Sequence, residues 1–326
     1  RFKWVLRERN RKIAAKTEVF TEQQARRVRS FHSSFKEYSP TPLIELTSLA
    51  QHLGIKNLFV KDESYRFGLN AFKVLGGSFA IGSYIANELG EDIDDLPYMR
   101  LVSDEVRSLL GSKTFITTTD GNHGRGVAWT ANRLKQQAIV YMPQGSAAER
   151  LSNIRAEGAQ AEITDMNYDD TVRYTSELAQ KNGWIIVQDT AWDGYTRIPL
   201  WIMQGYMTMA LEAYEQLPVK PTHIFLQAGV GSLAGSVQGF FADIYGSSCP
   251  LTFIVEPKGA DCLYQTAAAN DGSLHSVTGR LETIMAGLAC GEPNSIAWEI
   301  LGNLSDGFIS CPDYTAAQGM RILGNP

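Results

Sequence analysis

The chain has 326 residues, 44% of them hydrophobic and 20% charged, with a formal net charge of −5. That length and composition describe an ordinary globular protein with room for two domains. The mild negative balance gives no global attraction to nucleic acid or an anionic membrane, and no apolar run is long enough to span a bilayer.

The first residue is Arg1 rather than Met, and the last residues, Gly324-Asn325-Pro326, read as a turn after a helix, so the natural chain is expected to extend past both. A basic cluster runs from Arg7 through Lys16 to Arg26, Arg27 and Arg29, interleaved with Glu8, Glu18 and Glu22. That mixture reads as a solvated helix face. A first strand is predicted over Asn57–Lys61. The loop after it bends at Gly68 and Asn70 and delivers Lys73 to the start of an apolar, small-residue helix, Lys73–Leu89. Lodged among Phe72, Val74 and Leu75, this lysine is expected to be neutral, because burial disfavours the charged form. A neutral buried amine is a nucleophile suited to a Schiff base with an aldehyde cofactor. The plainer reading is a lysine that snorkels into water.

Strands and helices then alternate. Strands are predicted over Thr114–Thr118, Ala138–Met142, Ala161–Thr164, Trp184–Gln188, His223–Gln227 and Thr252–Glu256. Helices are predicted over His123–Gln136, Ala147–Glu157, Tyr168–Asn182, Pro199–Leu217 and Ser232–Tyr245. The pattern implies an α/β chain with two open, mostly parallel sheets covered by helices. The loop Asp189–Tyr195 interrupts the rhythm. A small domain over 79–189, and a large one built from 1–78 and 190–326, are therefore expected.

Ligands of such sheets bind beyond the carboxyl ends of the strands. One such end carries Thr119-Asp120-Gly121-Asn122-His123, whose hydroxyl, amide and helix-start N–H groups suit a carboxylate. Capping is the plain role for Asp120, and packing for His123, which has no ligand set around it for a metal. Another end carries Ala228-Gly229-Val230-Gly231-Ser232-Leu233-Ala234, a glycine turn opening a helix and a cradle for phosphate, with Ser232 as a further hydroxyl donor. The same letters fit a dinucleotide loop, with Glu256 as the ribose-binding acid of a nicotinamide cofactor. Cys249, Cys262, Cys290 and Cys311 are widely spaced, and free thiols in the cytoplasm are expected. The spacing does not decide a Cys262–Cys290 bridge.

Taken in order, the lysine, the Gly-Asn-His loop and the glycine turn resemble the fold-type II pyridoxal-phosphate enzymes, the group of threonine dehydratase and tryptophan synthase β. The stretches ESYRFGLNAFKVLGGSFA, TTTDGNHGRGVAW, QDTAW, AGVGSLAG, VEPKGADCLYQTA and MAGLACGEP are similar to the diaminopropionate ammonia-lyase family within it, over nearly the whole chain. The resemblance implies that Lys73 holds pyridoxal 5'-phosphate. It implies that Gly229, Val230, Gly231, Ser232 and Leu233 cradle the phosphate, that Asn122 contacts the ring oxygen, and that backbone near Ala286 and Gly287 lines the ring. Thr119 is placed to bind the substrate carboxylate. Asp120 stands where threonine dehydratase-like sequences carry alanine, which puts an added carboxylate beside the substrate. A C-terminal side chain that contacts the pyridine nitrogen is expected beyond Pro326. The implied reaction is elimination of ammonia from 2,3-diaminopropionate to give pyruvate, in a cytoplasmic homodimer. Lys73 would act as base for the L-isomer and Asp120 for the D-isomer. Asp189 would bind the substrate's second ammonium or serve as a structural acid. Tyr168 is a further candidate for the substrate site. The alternatives are a serine or threonine dehydratase, a nicotinamide-dependent oxidoreductase, and a cofactor-binding chain without activity.

Overall fold

The computed structural model describes residues 1–8, 17–119 and 121–324; Asp120 and Lys16 lie outside the described residues. The strands are β1 (Lys3–Leu6), β2 (Leu43–Glu45), β3 (Phe59–Lys61), β4 (Thr114–Thr118), β5 (Gln137–Met142), β6 (Gln160–Ile163), β7 (Ile185–Ile186), β8 (His223–Gln227), β9 (Leu251–Pro257) and β10 (Gly307–Cys311). One sheet runs β6-β5-β4-β7 and is parallel throughout. A second runs β1-β10-β9-β8, parallel except for β1 at its edge, and β2 and β3 form a short antiparallel pair. All four strands of the first sheet lie within 79–189, and all four of the second lie outside that range.

The helices Lys73–Leu89, Tyr168–Asn182 and Ser232–Tyr245 and the strands β4 and β8 have the predicted bounds. The predicted strand Asn57–Lys61 is shorter, and β1, β2 and β10 join the predicted set. The basic residues of the helix Glu22–Ser33 are on its outer face, as expected. Arg26 pairs with Glu22 and Glu215, Arg27 with Asp92 and Asp94, and Arg29 with Glu215. The opposite face buries Ala25, Val28, Phe31 and His32.

The Lys73 helix is the centre of the molecule. It packs against the helices Asn122–Arg133 and Arg197–Gln216. Small residues permit this closeness. A β-carbon on Gly205 would stand 2.3 Å from Leu75 O, and one on Gly126 would stand 2.8 Å from Val74 Cα. Backbone therefore meets backbone on both sides of the first turn, and Lys73 is fixed from below by packed main chain. The loop that leads to it is bent as predicted, with Gly68 and Asn70 left-handed, and Phe67 joins them at φ 50°.

The exposed face of the second sheet is apolar. In register, Trp4, Leu6, Phe225, Leu251, Phe253, Val255 and Ile309 share it, and Trp4, Leu6, Phe225 and Leu251 are exposed. No described helix is long and apolar enough to cross a membrane.

Candidate active site

Several chain segments meet around one cavity of about 190 Å³. The Lys73 helix start supplies Phe72 and Lys73, the start of the helix Asn122–Arg133 supplies Asn122, and the loop after β7 supplies Asp189. The turn after β8 supplies Ala228 to Leu233, and a short turn at Ala286–Leu288 supplies Gly287 and Leu288. A second hollow of about 230 Å³ adjoins it, sharing Val230 and Cys290, with Tyr168, Thr190 and Trp192 in its wall. Together they fall within the roughly 300–1,000 Å³ range of small-molecule sites.

Lys73 Nζ donates to Asp189 Oδ2 at 2.6 Å. Burial is the largest influence on both groups and opposes both charges, but the pair outweighs it. Asp189 is held at about 2 by Lys73, with His123 adding to the effect. Lys73 is raised above the ordinary lysine value by Asp189. The expectation of a neutral Lys73 therefore does not hold in the free pocket. A carboxylate at 2.6 Å keeps the amine charged despite its burial.

The glycine turn is built as an anion cradle. Gly231 has φ 100°, which a side chain would strain, and the helix Ser232–Tyr245 begins immediately after it. The first amides of a helix have no acceptor within it, and they point out of its start together with the positive end of its dipole. A β-carbon on Gly229 would stand 3.1 Å from Cys290 Sγ and 3.4 Å from Leu288 Cα, so the wall is already in contact with bare backbone. Ser232 departs from expectation. Its hydroxyl donates to Asp189 O at 2.5 Å and accepts from Asn294 Nδ2 at 2.8 Å. The single hydroxyl hydrogen is thus committed to the Asp189 loop, and the backbone amide of Ser232 is what faces an anion.

Asn294 is a residue that sequence reasoning missed. It is fully buried, donates from its backbone to Val230 O, and accepts from Ile296 and Ala297 at the start of the next helix. It thereby ties the glycine turn to the Asp189 loop. An Asn before an apolar run, in Glu292-Pro293-Asn294-Ser295, is the capping signal that marks it. Tyr206, in the wall beside Lys73, was also missed, since the apolar stretch Trp201–Tyr214 reads as core, and much of it is core.

The remaining candidates are placed as follows. Asn122 and Gly287 line the cavity. Thr119 is buried at the end of β4, its hydroxyl accepting from Gly121 N at 3.0 Å, and it is not among the residues lining either hollow. Tyr168 lines the second hollow and accepts from Gln188 Nε2 at 2.9 Å, while Asn167 caps its helix. His123 is packed, its Nε2 2.7 Å from Val187 O. No cluster of metal-ligating side chains occurs among the described residues. Among them too, none of the four cysteines is in a disulfide.

The dinucleotide reading fails at Glu256. That side chain is fully buried and accepts from Leu263 N at 2.9 Å and Tyr264 N at 2.7 Å, so it holds the start of the helix Cys262–Ala269. Buried and engaged within the fold, it is not open to a ribose.

Comparison with known proteins agrees with this geometry. The family model described as "pyridoxal-phosphate dependent enzyme" matches residues 35–325. The diaminopropionate ammonia-lyase of Escherichia coli K12 is 53% identical over 312 residues, covering 94% of this chain and 77% of that protein. The Salmonella typhimurium enzyme of the same name is 53% identical over 303 residues, covering 92% and 75%. The crystal structure of the holo E. coli lyase superposes with a TM-score of 0.91 at 50% identity, covering 100% of this chain and 81% of that one. The chain belongs to the pyridoxal-phosphate-dependent enzymes of fold-type II and, among them, to the diaminopropionate ammonia-lyase family.

Proposed function

We propose that this chain converts 2,3-diaminopropionate, both L and D, with one water, to pyruvate and two molecules of ammonia, using pyridoxal phosphate. The observation that carries the reading is the Lys73–Asp189 pair at 2.6 Å, in one cavity with the glycine turn. The residues present fit the cofactor. An amine for its aldehyde stands across from a helix start whose glycine turn leaves bare amides for its phosphate. Gly229, Val230, Gly231, Ser232 and Leu233 would hold the phosphate, Asn122 the ring oxygen, and Gly287 the ring edge. Once bound, pyridoxal phosphate supplies the electron sink that makes an α-proton removable.

The chain's own residues then divide the proton work. Freed from Asp189, the Lys73 amine takes the α-proton of the L-isomer. Asp120 takes it from the D-isomer on the opposite face. Asp189 exchanges the Lys73 ammonium for the substrate's β-ammonium, which keeps the leaving nitrogen protonated as its bond to carbon breaks. Tyr168 bounds the substrate from the wall of the adjoining hollow, while Thr119 acts from behind the wall, holding the turn at Gly121 through that residue's N–H. A β-hydroxyl gains less from these carboxylates, which favours diaminopropionate over serine or threonine.

The test is pyruvate release from each diaminopropionate isomer, compared with L-serine and L-threonine. Faster release from serine or threonine would move the chain to the dehydratase reading. Cofactor uptake without pyruvate from any of them would make it a binding protein. Asp120→Asn is expected to lower turnover of the D-isomer by about 100-fold, the lower range for a general base, and of the L-isomer by far less. Equal losses on both isomers would remove the assignment.

The two sheets are taken as the centres of two domains, 79–189 and the combination of 1–78 with 190–326. A cytoplasmic homodimer completes the reading. The apolar face at Trp4, Leu6 and Phe225 offers a dimer a surface to bury.

A further inference from the structure

Tyr206 stands in the middle of an apolar helix, and its ring is held from two sides. A β-carbon on Gly76 would stand 2.7 Å from Tyr206 Cε1 and 2.8 Å from Cζ, so the ring lies directly on the first turn of the Lys73 helix. Phe72 meets it edge-on, with ring centroids 5.2 Å apart. This places the phenol in the wall of the cavity that holds Lys73 and Asp189. Tyr206 is only 1% exposed, yet among the described residues its hydroxyl has no hydrogen-bond partner.

Polar atoms buried this deeply almost always have a partner, and leaving one out is costly. Tyr195, half-buried in the loop after Asp189, bonds Ile186 O and Gln188 N. An orphan hydroxyl on a residue that lines a working cavity implies a partner that arrives in another state. Lys73 is the polar side chain at the start of that same helix turn, and it is drawn to Asp189. The functional reading requires it to leave Asp189, because a carboxylate partner favours the ammonium and an ammonium cannot accept a proton.

We propose that Tyr206 is a positioning residue for Lys73: when Asp189 lets go, Lys73 Nζ–H donates to Tyr206 Oη, leaving the amine lone pair directed into the cavity. A neutral phenol favours the ammonium far less than the Asp189 carboxylate does, so the amine can rest on it uncharged. The phenol keeps its proton in this setting, chiefly through burial, with Asp189 adding to the effect and Lys73 opposing it. The titratable groups that act on Lys73 are Asp189, Tyr206 and Cys290, with His123 acting on Asp189. The inference rests on the reading that Lys73 receives pyridoxal phosphate.

The test follows cofactor capture by absorbance, mixing pyridoxal phosphate with cofactor-free wild type, Tyr206→Phe, Asp189→Asn and the double variant across neutral and alkaline pH. Tyr206→Phe is expected to slow capture at neutral pH by about tenfold and to move its rising limb up by about one pH unit. Protection by inorganic phosphate should stay unchanged and the thermal midpoint should hold or rise, since the hydroxyl has no bond to lose in the protein and its burial without a partner is a cost. With the carboxylate gone in Asp189→Asn, Lys73 has no partner to be drawn away from, so adding Tyr206→Phe should have no further effect. An unaltered capture profile, a slowing that comes with a lowered thermal midpoint, or an equal loss in the Asp189→Asn background would each overturn the role of Tyr206. Failure of the wild type to capture the cofactor would overturn the functional reading beneath it.

Discussion

Lys73→Ala is expected to lower pyruvate release from both diaminopropionate isomers by about 10⁴-fold or more, since it removes both the cofactor's covalent anchor and a general base, and a base alone contributes up to about that factor. In the wild type, borohydride reduction should fix the mass of the cofactor on Lys73, and the variant should elute from gel filtration without it. The variant has a second defect, in stability. Asp189 is buried and held at about 2 by its partner, so removal of Lys73 strands a carboxylate in a poorly solvated site. Its proton affinity then rises above that of an unfolded aspartate. A group raised in this way destabilises the fold as pH climbs through the unfolded value, near 3.9, and is harmless below it. The stability deficit of Lys73→Ala should thus be present at pH 7 and fade in acid. Adding Asp189→Asn should restore the stability without restoring pyruvate release. A single variant that keeps more than about one hundredth of wild-type turnover would deny Lys73 both roles.

The legible parts of this site are those whose physics is local. A glycine turn between an apolar strand and an apolar helix announces an anion cradle, and the helix Ser232–Tyr245 begins where the sequence puts it. Asp189 stands just past the predicted strand Trp184–Gln188, but its bond to Lys73 spans 116 residues and no periodicity relates the two. The charge state of Lys73 was misjudged for that reason. β7 shows another limit. The run Trp184–Gln188 reads as a five-residue strand, yet only Ile185 and Ile186 pair with β4. Beyond them the Gln188 side chain takes over the edge of β4, accepting from Thr118 N and donating to Thr118 O, each at 3.0 Å. Tyr195 Oη closes the other side by donating to Ile186 O and accepting from Gln188 N. Side chains replace the ladder where the strand must turn aside to present Asp189. The Tyr206 hydroxyl was invisible because its neighbours Met203, Met207 and Ala210 make the position read as core.

The loop that presents Lys73 depends on a charge cluster far from the chemistry, and Glu212→Ala is expected to cost about 3–5 kcal/mol, the range for breaking a buried pair from one side. Arg66 is fully buried in that loop and lies against two carboxylates. Glu212 receives Arg66 Nη1 at 2.8 Å and Nη2 at 2.7 Å, Lys61 Nζ at 2.8 Å, Tyr38 Oη at 2.9 Å and Thr41 N at 3.1 Å. Removing it leaves Lys61 and Arg66 to share Glu63, with excess positive charge out of water. Burial opposes the charge on Glu212, but Arg66 and Lys61 outweigh it and hold the carboxyl at about 2. A carboxyl depressed in this way contributes fully above its unfolded value of about 4.5 and loses the contribution as pH falls toward 2. Urea denaturation should therefore show a gap between wild type and Glu212→Ala that is constant near neutrality and narrows below about pH 4.5. A gap under about 1 kcal/mol at pH 7, or one that persists unchanged in acid, would mean that the cluster is not what holds the fold there. Because Phe67 and Gly68 take left-handed backbone immediately after Arg66, loosening Arg66 should also weaken cofactor retention, although no member of the cluster lines the cavity.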